Sequence, residues 1–265
     1  MTVDCSIIIV SFNARLDLER CLDSLHASRP VRPHEIIVVD NDSQDGSADA
    51  AARRPGVHVI RMGANRGFAQ ASNVGIRSSS GTNLLLLNSD TVVPPGAIDR
   101  LLAILERDPD VAVVGPRLVD ATGSAELSFG AMIGPFNELR QKWRTRTAIE
   151  RLTRRQHYPD WVSGACLLVR RIDAEATGLL DERFFMYTED VDFCAAIRAR
   201  GRRVLFTPEV EIVHLRGRSV AAAPEATSAA YRRSQLAFYK KHHPNWLPLL
   251  NLYLRVRGRW GGSGR

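Results

Sequence analysis

Three acidic side chains crowd into four residues at Glu189-Asp190-Val191-Asp192, where a segment of helical periodicity begins. Negative charge at a helix N-terminus stabilises it by about 0.3–1 kcal/mol per group, so capping alone accounts for one or two of them. Three repel one another, and repulsion raises at least one pKa toward the range useful to a general base. Their directions diverge on a helix, so one is expected to be the base and the others structural. A second cluster, Asn88-Ser89-Asp90, follows Leu84 to Leu87, the most hydrophobic run of the chain. A carboxylate at the end of a buried strand contributes little to folding. It is well placed for a hard divalent cation such as Mg²⁺, which takes oxygen ligands from one or two carboxylates plus substrate phosphates. His214-Leu215-Arg216-Gly217-Arg218 follows another apolar run. There a neutral imidazole could complete a metal shell, and Arg216 and Arg218 could balance a diphosphate.

Further polar segments follow the apolar runs. Ser11-Phe12-Asn13 follows the first, and Asp40-Asn41-Asp42-Ser43-Gln44-Asp45-Gly46-Ser47 follows the second. Asp, Asn, Ser and Gly are ordinary turn and cap residues, and one such segment would mean no more than that. Three of them after three strands mark where a nucleotide would lie. In Asn65 to Gly75, Gly67 and Gly75 permit close backbone approach, Arg66 can meet a phosphate, and Asn73 shares a helix face with Gln70. Neither GxGxxG nor GxxxxGK[ST] occurs, which argues against a dinucleotide dehydrogenase and a P-loop NTPase.

The elements that must carry these groups alternate. Ser6–Val10, Glu35–Val39, Val57–Ile60, Leu84–Leu87 and Val111–Val114 read as strands. Helical spacing appears around Leu18, Cys21, Leu22 and Leu25, and over 48–54, 70–77 and 96–107. Continuous apolar strands alternating with helices imply an α/β protein whose parallel sheet is covered on both faces. Ligands of such sheets bind beyond the carboxyl ends of the strands. The second half is less regular: a strand at 165–169, a helix at 190–200 ended by Gly201, and two short strands at 204–206 and 210–213.

Of 265 residues, 45% are hydrophobic and 25% charged, a globular balance. No run of 18 apolar residues is present, and Asp4, Arg15, Asp17, Glu19 and Arg20 break any signal-peptide core in residues 1–30. Cys5, Cys21, Cys166 and Cys194 are scattered through apolar runs and read as reduced core residues of a cytoplasmic protein. The net charge is +7, and of 36 basic residues only Lys142, Lys240 and Lys241 are lysines. Such a balance attracts nucleic acid, anionic membrane or phosphorylated ligands. No base-reading motif is present, and acids after the second and fourth strands oppose a polyanion, so nucleic acid is not an expected partner. Arg140 to Arg155 is strongly basic, and Tyr239, Lys240, Lys241, Trp246, Tyr253 and Trp260 interleave aromatics with cations, which suits a membrane surface.

In their order along the chain these segments resemble family 2 glycosyltransferases, in particular bacterial rhamnosyltransferase-like members. The pieces are Ile9-Val10-Ser11-Phe12-Asn13, Val38 to Ser43 with Asp45-Gly46-Ser47, Asn65-Arg66-Gly67-Phe68 with Asn73 and Gly75, and Leu86 to Asp90. They continue through Ser163-Gly164-Ala165, Asp181-Glu182, Phe184 to Tyr187, Glu189 to Cys194, and His214 with Gly217 and Ser219. The resemblance implies a GT-A fold: a Rossmann-like nucleotide half over 1–115 and an acceptor half over 116–220 around one mixed sheet, followed by a basic aromatic extension over 221–265. It implies an inverting, metal-dependent transfer of a sugar from a nucleotide-diphospho-sugar, dTDP-rhamnose being favoured, to a glycan or polyprenyl-diphosphate-linked acceptor in cell-surface polysaccharide synthesis. Asp40 resembles the reader of the pyrimidine base, with Ser11, Asn13 and Asp42 nearby and Arg66 and Asn73 on the donor. Asn88-Ser89-Asp90 stands where relatives carry a DXD motif; with Asn first, Asp90 carries most of the coordination of Mg²⁺ or Mn²⁺, joined by His214. Asp190 matches the catalytic base, and Trp161, Gly164, Ala165 and Glu189 fall on the acceptor side. The expected location is cytoplasmic, peripheral at the inner face of the cell membrane. A nucleotidyltransferase would want a Gly-rich, Lys-bearing loop after the first strand, which Ser11-Phe12-Asn13-Ala14-Arg15 is not. A non-catalytic nucleotide-sugar-binding protein is opposed by the joint presence of Asp90 and Asp190.

Overall fold

Ile7, Ile8 and Ile9 are consecutive and all buried, so the strand that carries them needs cover on both faces. A computed structural model, describing residues 2–134, 145–215 and 224–260, shows how the cover is supplied. In chain order the strands are β1 (Cys5–Ser11), β2 (His34–Asp40), β3 (Val57–Arg61), β4 (Asn83–Asn88), β5 (Thr91–Val92), β6 (Val111–Val119), β7 (Phe129–Gly130), β8 (Trp161–Val162), β9 (Cys166–Arg170) and β10 (Arg203–His214). The helices are α1 (Arg15–Ser28), α2 (Ser47–Ala52), α3 (Phe68–Arg77), α4 (Ala97–Arg107), α5 (Arg146–Leu152), α6 (Arg171–Ala176), α7 (Glu189–Ala199), α8 (Pro224–His242) and α9 (Leu247–Trp260). Side chains alternate across a strand. Ile7 and Ile9 therefore meet Leu18, Leu22, Ala51, Leu101 and Leu105 of α1, α2 and α4. Ile8 turns the other way, to Ala69, Ile76, Phe193 and Ile197 of α3 and α7.

Eight strands form one sheet in the order β3-β2-β1-β4-β9-β6-β10-β5. β3, β2, β1 and β4 are parallel, as the alternation predicts. β9 then enters antiparallel between β4 and β6, and β5 runs antiparallel to the end of β10, so the sheet is mixed. The two short strands expected at 204–206 and 210–213 are one strand, β10, whose register against β6 slips between Thr207 and Glu211. Pro208 lies in the slip, where its missing N–H costs no ladder bond. β7 and β8 pair as a separate ribbon, and neither they nor β5, α5 and α6 were expected from pattern. All four cysteines are buried and free.

α8 lies against the domain. Its Phe238 and Tyr239 are buried with Phe184 and Val191, and Leu250 of α9 joins them. Two residues expected at a membrane surface therefore turn inward: Tyr239 packs in this cluster, and Lys241 is ion-paired to Asp181 and Asp192. Trp246, Leu249 and Leu252 remain exposed. Among the described residues no helix is long and apolar enough to cross a membrane.

Candidate active site

The register of the parallel strands sets Ser11 beside Asp40 and Val10 beside Asn88, so three polar segments emerge along one sheet edge. Ser11 and Asp40 are buried, yet Ser11 Oγ and Asp40 Oδ1 have no hydrogen-bond partner. An unpaired buried polar atom costs about 1–3 kcal/mol, which points to a ligand that completes the pair. The other Asp40 oxygen accepts the Ser43 N–H at 3.0 Å. Asn13, at φ 48°, braces the loops after β1 and β2: its N–H donates to Ser43 Oγ at 2.9 Å and its Oδ1 accepts Gln44 N–H at 2.7 Å. Asp42 is also left-handed, at φ 73°. A cavity of about 380 Å³ opens here, lined by Asp40, Asp42, Ser43, Gln44, Arg61 and Gly63 among others.

Asn41, to which sequence reasoning gave no role, organises the next loop. It is buried, its Oδ1 accepts Arg66 N–H at 2.9 Å, and its Nδ2 donates to Asn65 Oδ1 at 2.9 Å and Gly67 O at 3.2 Å. Arg66 is thereby carried over the sheet edge with its side chain exposed.

The last pair of β10 with β5, His214 against Thr91, delivers the imidazole to Asp90. Leu215 N–H donates to Asp90 O at 2.8 Å, and His214 Nε2 lies 3.2 Å from Asp90 Oδ1 and 3.5 Å from Asn88 Nδ2. On the far side of the ring, Nδ1 is 3.0 Å from Glu126 Oε2. Burial opposes an imidazolium here, but hydrogen bonds to Asp90 and Glu126 raise its pKa to about 9. A carboxylate behind a histidine fixes its tautomer and orientation and strengthens it as a ligand. Sequence reasoning missed Glu126, because nothing in its local pattern points to a residue 88 positions away. Among the described residues no group of three or more His, Cys, Asp or Glu side chains is arranged to hold a metal alone. Asp90 and His214 offer one carboxylate and one imidazole, donors that fit a divalent cation completing its shell elsewhere. Ser89, between Asn88 and Asp90, is half-buried.

Asp190 stands in the first turn of α7 and is half-buried. Its Oδ2 accepts Gly164 N–H at 2.9 Å and its Oδ1 accepts Val191 N–H at 2.8 Å. A Cβ on Gly164 would lie 3.4 Å from Asp190 Cβ, in van der Waals contact with it. Ala165 O, one residue on, accepts Asn88 N–H at 2.9 Å. Residues 164–165 thus join the carboxylate of α7 to the segment that carries Asp90. Glu189 is buried, its Oε2 lacks a partner, and burial together with the Asp190 charge pushes its carboxyl well above the usual range. Tyr187 and Thr188 enter α7 at φ 70° and 66°; strain of this kind at a β-branched residue clusters at active sites.

Two expected residues are placed differently. Asn73 is withdrawn from the donor set: its Nδ2 donates to Leu180 O at 2.8 Å and Glu182 Oε1 at 2.9 Å, and its Oδ1 accepts Leu180 N–H at 3.0 Å. Its amide is fully spent on tethering that segment to α3. Trp161 spends its indole N–H on Ala131 O at 2.9 Å and lies against Gly130. Arg216 and Arg218 lie outside the described residues, as do 140–144 of the basic stretch.

The mixed sheet carries polar loops at the carboxyl ends of its parallel strands and a His214–Asp90 pair, and comparison identifies the class. The chain belongs to Glycosyl transferase family 2, whose family model matches residues 6–176. It is 32% identical over 269 aligned residues to the N-acetylglucosaminyl-diphospho-decaprenol L-rhamnosyltransferase of Mycobacterium tuberculosis, covering 93% of this chain and 87% of that one. In three dimensions it resembles a mannosyltransferase from Pyrobaculum calidifontis solved with GDP-Man and Mn²⁺, with TM-score 0.64, 18% identity, and coverage of 95% of this chain and 69% of that one. It also resembles GalNAc-T7 solved with UDP, GalNAc and Mn²⁺, with TM-score 0.62 and 19% identity. That match covers 81% of this chain and spans 44% of the other. The fold is GT-A.

Proposed function

We propose that this glycosyltransferase transfers L-rhamnose, with inversion, from dTDP-rhamnose to a hydroxyl of N-acetylglucosaminyl-diphospho-polyprenol. The observation that carries the reading is the Asp90–His214 pair, tied through Gly164 and Ala165 to Asp190. Ser11 Oγ and Asp40 Oδ1 take the pyrimidine nucleoside, and Arg66 meets the phosphates. Asp90 and His214 would hold Mg²⁺ or Mn²⁺, whose charge would offset that growing on the departing diphosphate. Asp190 accepts the proton of the acceptor hydroxyl. That oxygen bonds to the anomeric carbon on the face opposite the diphosphate, the carbon–diphosphate bond breaks, and the diphosphate leaves with the electron pair. One carboxylate suffices because the leaving group is good; a glycosidase needs a second as acid. The lipid-linked acceptor and the exposed Trp246, Leu249 and Leu252 support action at the inner membrane face.

The test is the purified chain with radiolabelled dTDP-L-rhamnose, the lipid-linked acceptor and Mn²⁺. A rhamnosyl product of inverted configuration, lost on chelation, is expected. Turnover indifferent to chelation, or a retained configuration, rejects the mechanism, and transfer from another sugar nucleotide alone rejects the donor. Flotation with anionic vesicles tests the membrane reading; a chain left wholly in the soluble fraction rejects it.

A further inference from the structure

α8 lies beyond the 6–176 match to the family model, yet from Tyr231 onward it grips the segment that leads into α7. Tyr231 stacks edge-on to Tyr187 with ring centroids 5.8 Å apart. Ser234 Oγ donates to Met186 O at 2.6 Å. Phe238 packs with Phe184 and Val191. Lys241 Nζ donates to both Asp181 Oδ2 and Asp192 Oδ2 at 2.8 Å, and His242 Nε2 lies 2.6 Å from Asp192 Oδ1. The Asp192 side chain is only 3% exposed, so both its oxygens meet α8 out of water. One ammonium therefore pins the start of the 181–192 segment and the first turn of α7 together. Between those pins the backbone is left-handed at Tyr187 and Thr188, a conformation that persists only when its surroundings over-determine it. The same segment reaches the donor side, because Phe185 O accepts Phe68 N–H at 2.7 Å.

We propose that Lys241 and Asp192 are positioning residues, through which the C-terminal helix α8 holds the first turn of α7 and so sets Asp190 against Gly164. The proposal rests on the reading of Asp190 as the base for its consequence in catalysis, but not for its geometry. Two arguments favour positioning over plain adhesion. A buried ion pair is a poor source of net stability compared with apolar packing, and the Phe238 cluster already supplies packing. Among the described residues the ion pairs of α8 also go to α7 and its approach: Lys241 reaches Asp181 and Asp192, and His242 reaches Asp192.

The experiment is amide hydrogen exchange on the full chain, comparing Lys241→Met with the unmodified protein at Gly164 and Val191, whose N–H groups donate to Asp190. At least tenfold faster exchange at these two amides is expected, with Ile7 to Val10 of β1 unchanged. Lys241→Arg, which keeps the cation, should restore most of the protection. In the rhamnosyl-transfer assay Lys241→Met should lower kcat at least tenfold and leave the donor KM within twofold, since a misplacement of about 1 Å can cost 10²-fold. Unchanged exchange at Gly164 and Val191, or acceleration shared equally by β1, overturns the proposal. If Lys241→Met does not fold, Ser234→Ala removes a single bond of the same strap and is held to the same two amides. Faster exchange without any change in kcat would leave the strap standing and reject Asp190 as the base.

Discussion

The donor side and the α7 side of the cleft are held by different means. The donor loops are local products of the sheet: Ser11, Asp40 and Asn88 follow directly from strands in register, and the braces among them come from Asn13, Asn41 and Ser43 in the same loops. The α7 side is assembled from afar. Asp190 leans on Gly164, the turn before it is held by α8, and the imidazole beside Asp90 is held by Glu126. A floor built by register tolerates much of the chain being changed elsewhere; a wall built by distant contacts fails when any of them is removed.

The contrast is tested hardest at Asp190. Asp190→Asn keeps the shape and the Gly164 contact but cannot accept a proton, so transfer should fall by about 10²–10⁴-fold. Binding of dTDP with Mn²⁺, read as a thermal shift, should persist, because the donor floor is independent of it. Loss of both together would show that the two sides are one unit.

Gly67→Ala strikes the seam between them. Gly67 has φ +84°, and a Cβ there would lie 2.2 Å from Phe185 O, which accepts the Phe68 N–H. Left-handed strain and overpacking together should cost about 2–4 kcal/mol. Calorimetry should find the midpoint lowered by roughly 4–16 °C, at about 2–4 °C per kcal/mol for a chain near this size. A shift under 1 °C would mean that the two loops move apart without cost.

These contacts also explain what could be read from sequence. The parallel half of the sheet was legible because apolar strands and polar strand ends are local signals, and Asp40, Asp90, Asp190 and His214 each stood at the end of an element. The antiparallel entry of β9 was not legible from the alternating pattern, since a short apolar strand reads alike in either direction. Asn73 shared a helix face with Gln70, but its partners, Leu180 and Glu182, lie more than a hundred residues away. The aromatic and basic C-terminus looked like a surface segment because Lys241 and Tyr239 show no partner until Asp192, Asp181 and Phe184 are folded beside them.

Glu126 sharpens the comparison from the other direction, as a distant residue serving the metal pair. Glu126→Gln keeps its size and weakens its pull on Nδ1 of His214. Loss of such a support costs about 10–100-fold in metal affinity. Titrating Mn²⁺ against the dTDP-dependent thermal shift would expose it; an unmoved midpoint would make Glu126 mere packing.

Glu189 tests the smallest effect, and its sign is fixed by burial. In the folded chain its carboxyl is pushed well above the usual range, first by burial and then by the Asp190 charge. In the unfolded chain it ionises near the ordinary value of about 4.3. The folded state thus binds a proton that the unfolded state releases, and stability falls as pH rises from about 4.3 toward the folded pKa, by about 1.4 kcal/mol per unit. Glu189→Gln carries no such proton and has no such slope. Its melting temperature should exceed that of the unmodified protein at pH 8, and the gap should narrow steadily toward pH 5. Melting curves at pH 5, 6, 7 and 8 for the two chains read this directly. Parallel curves would mean that Glu189 is ionised in the fold, a buried carboxylate beside half-buried Asp190, and would overturn this reading of the α7 side.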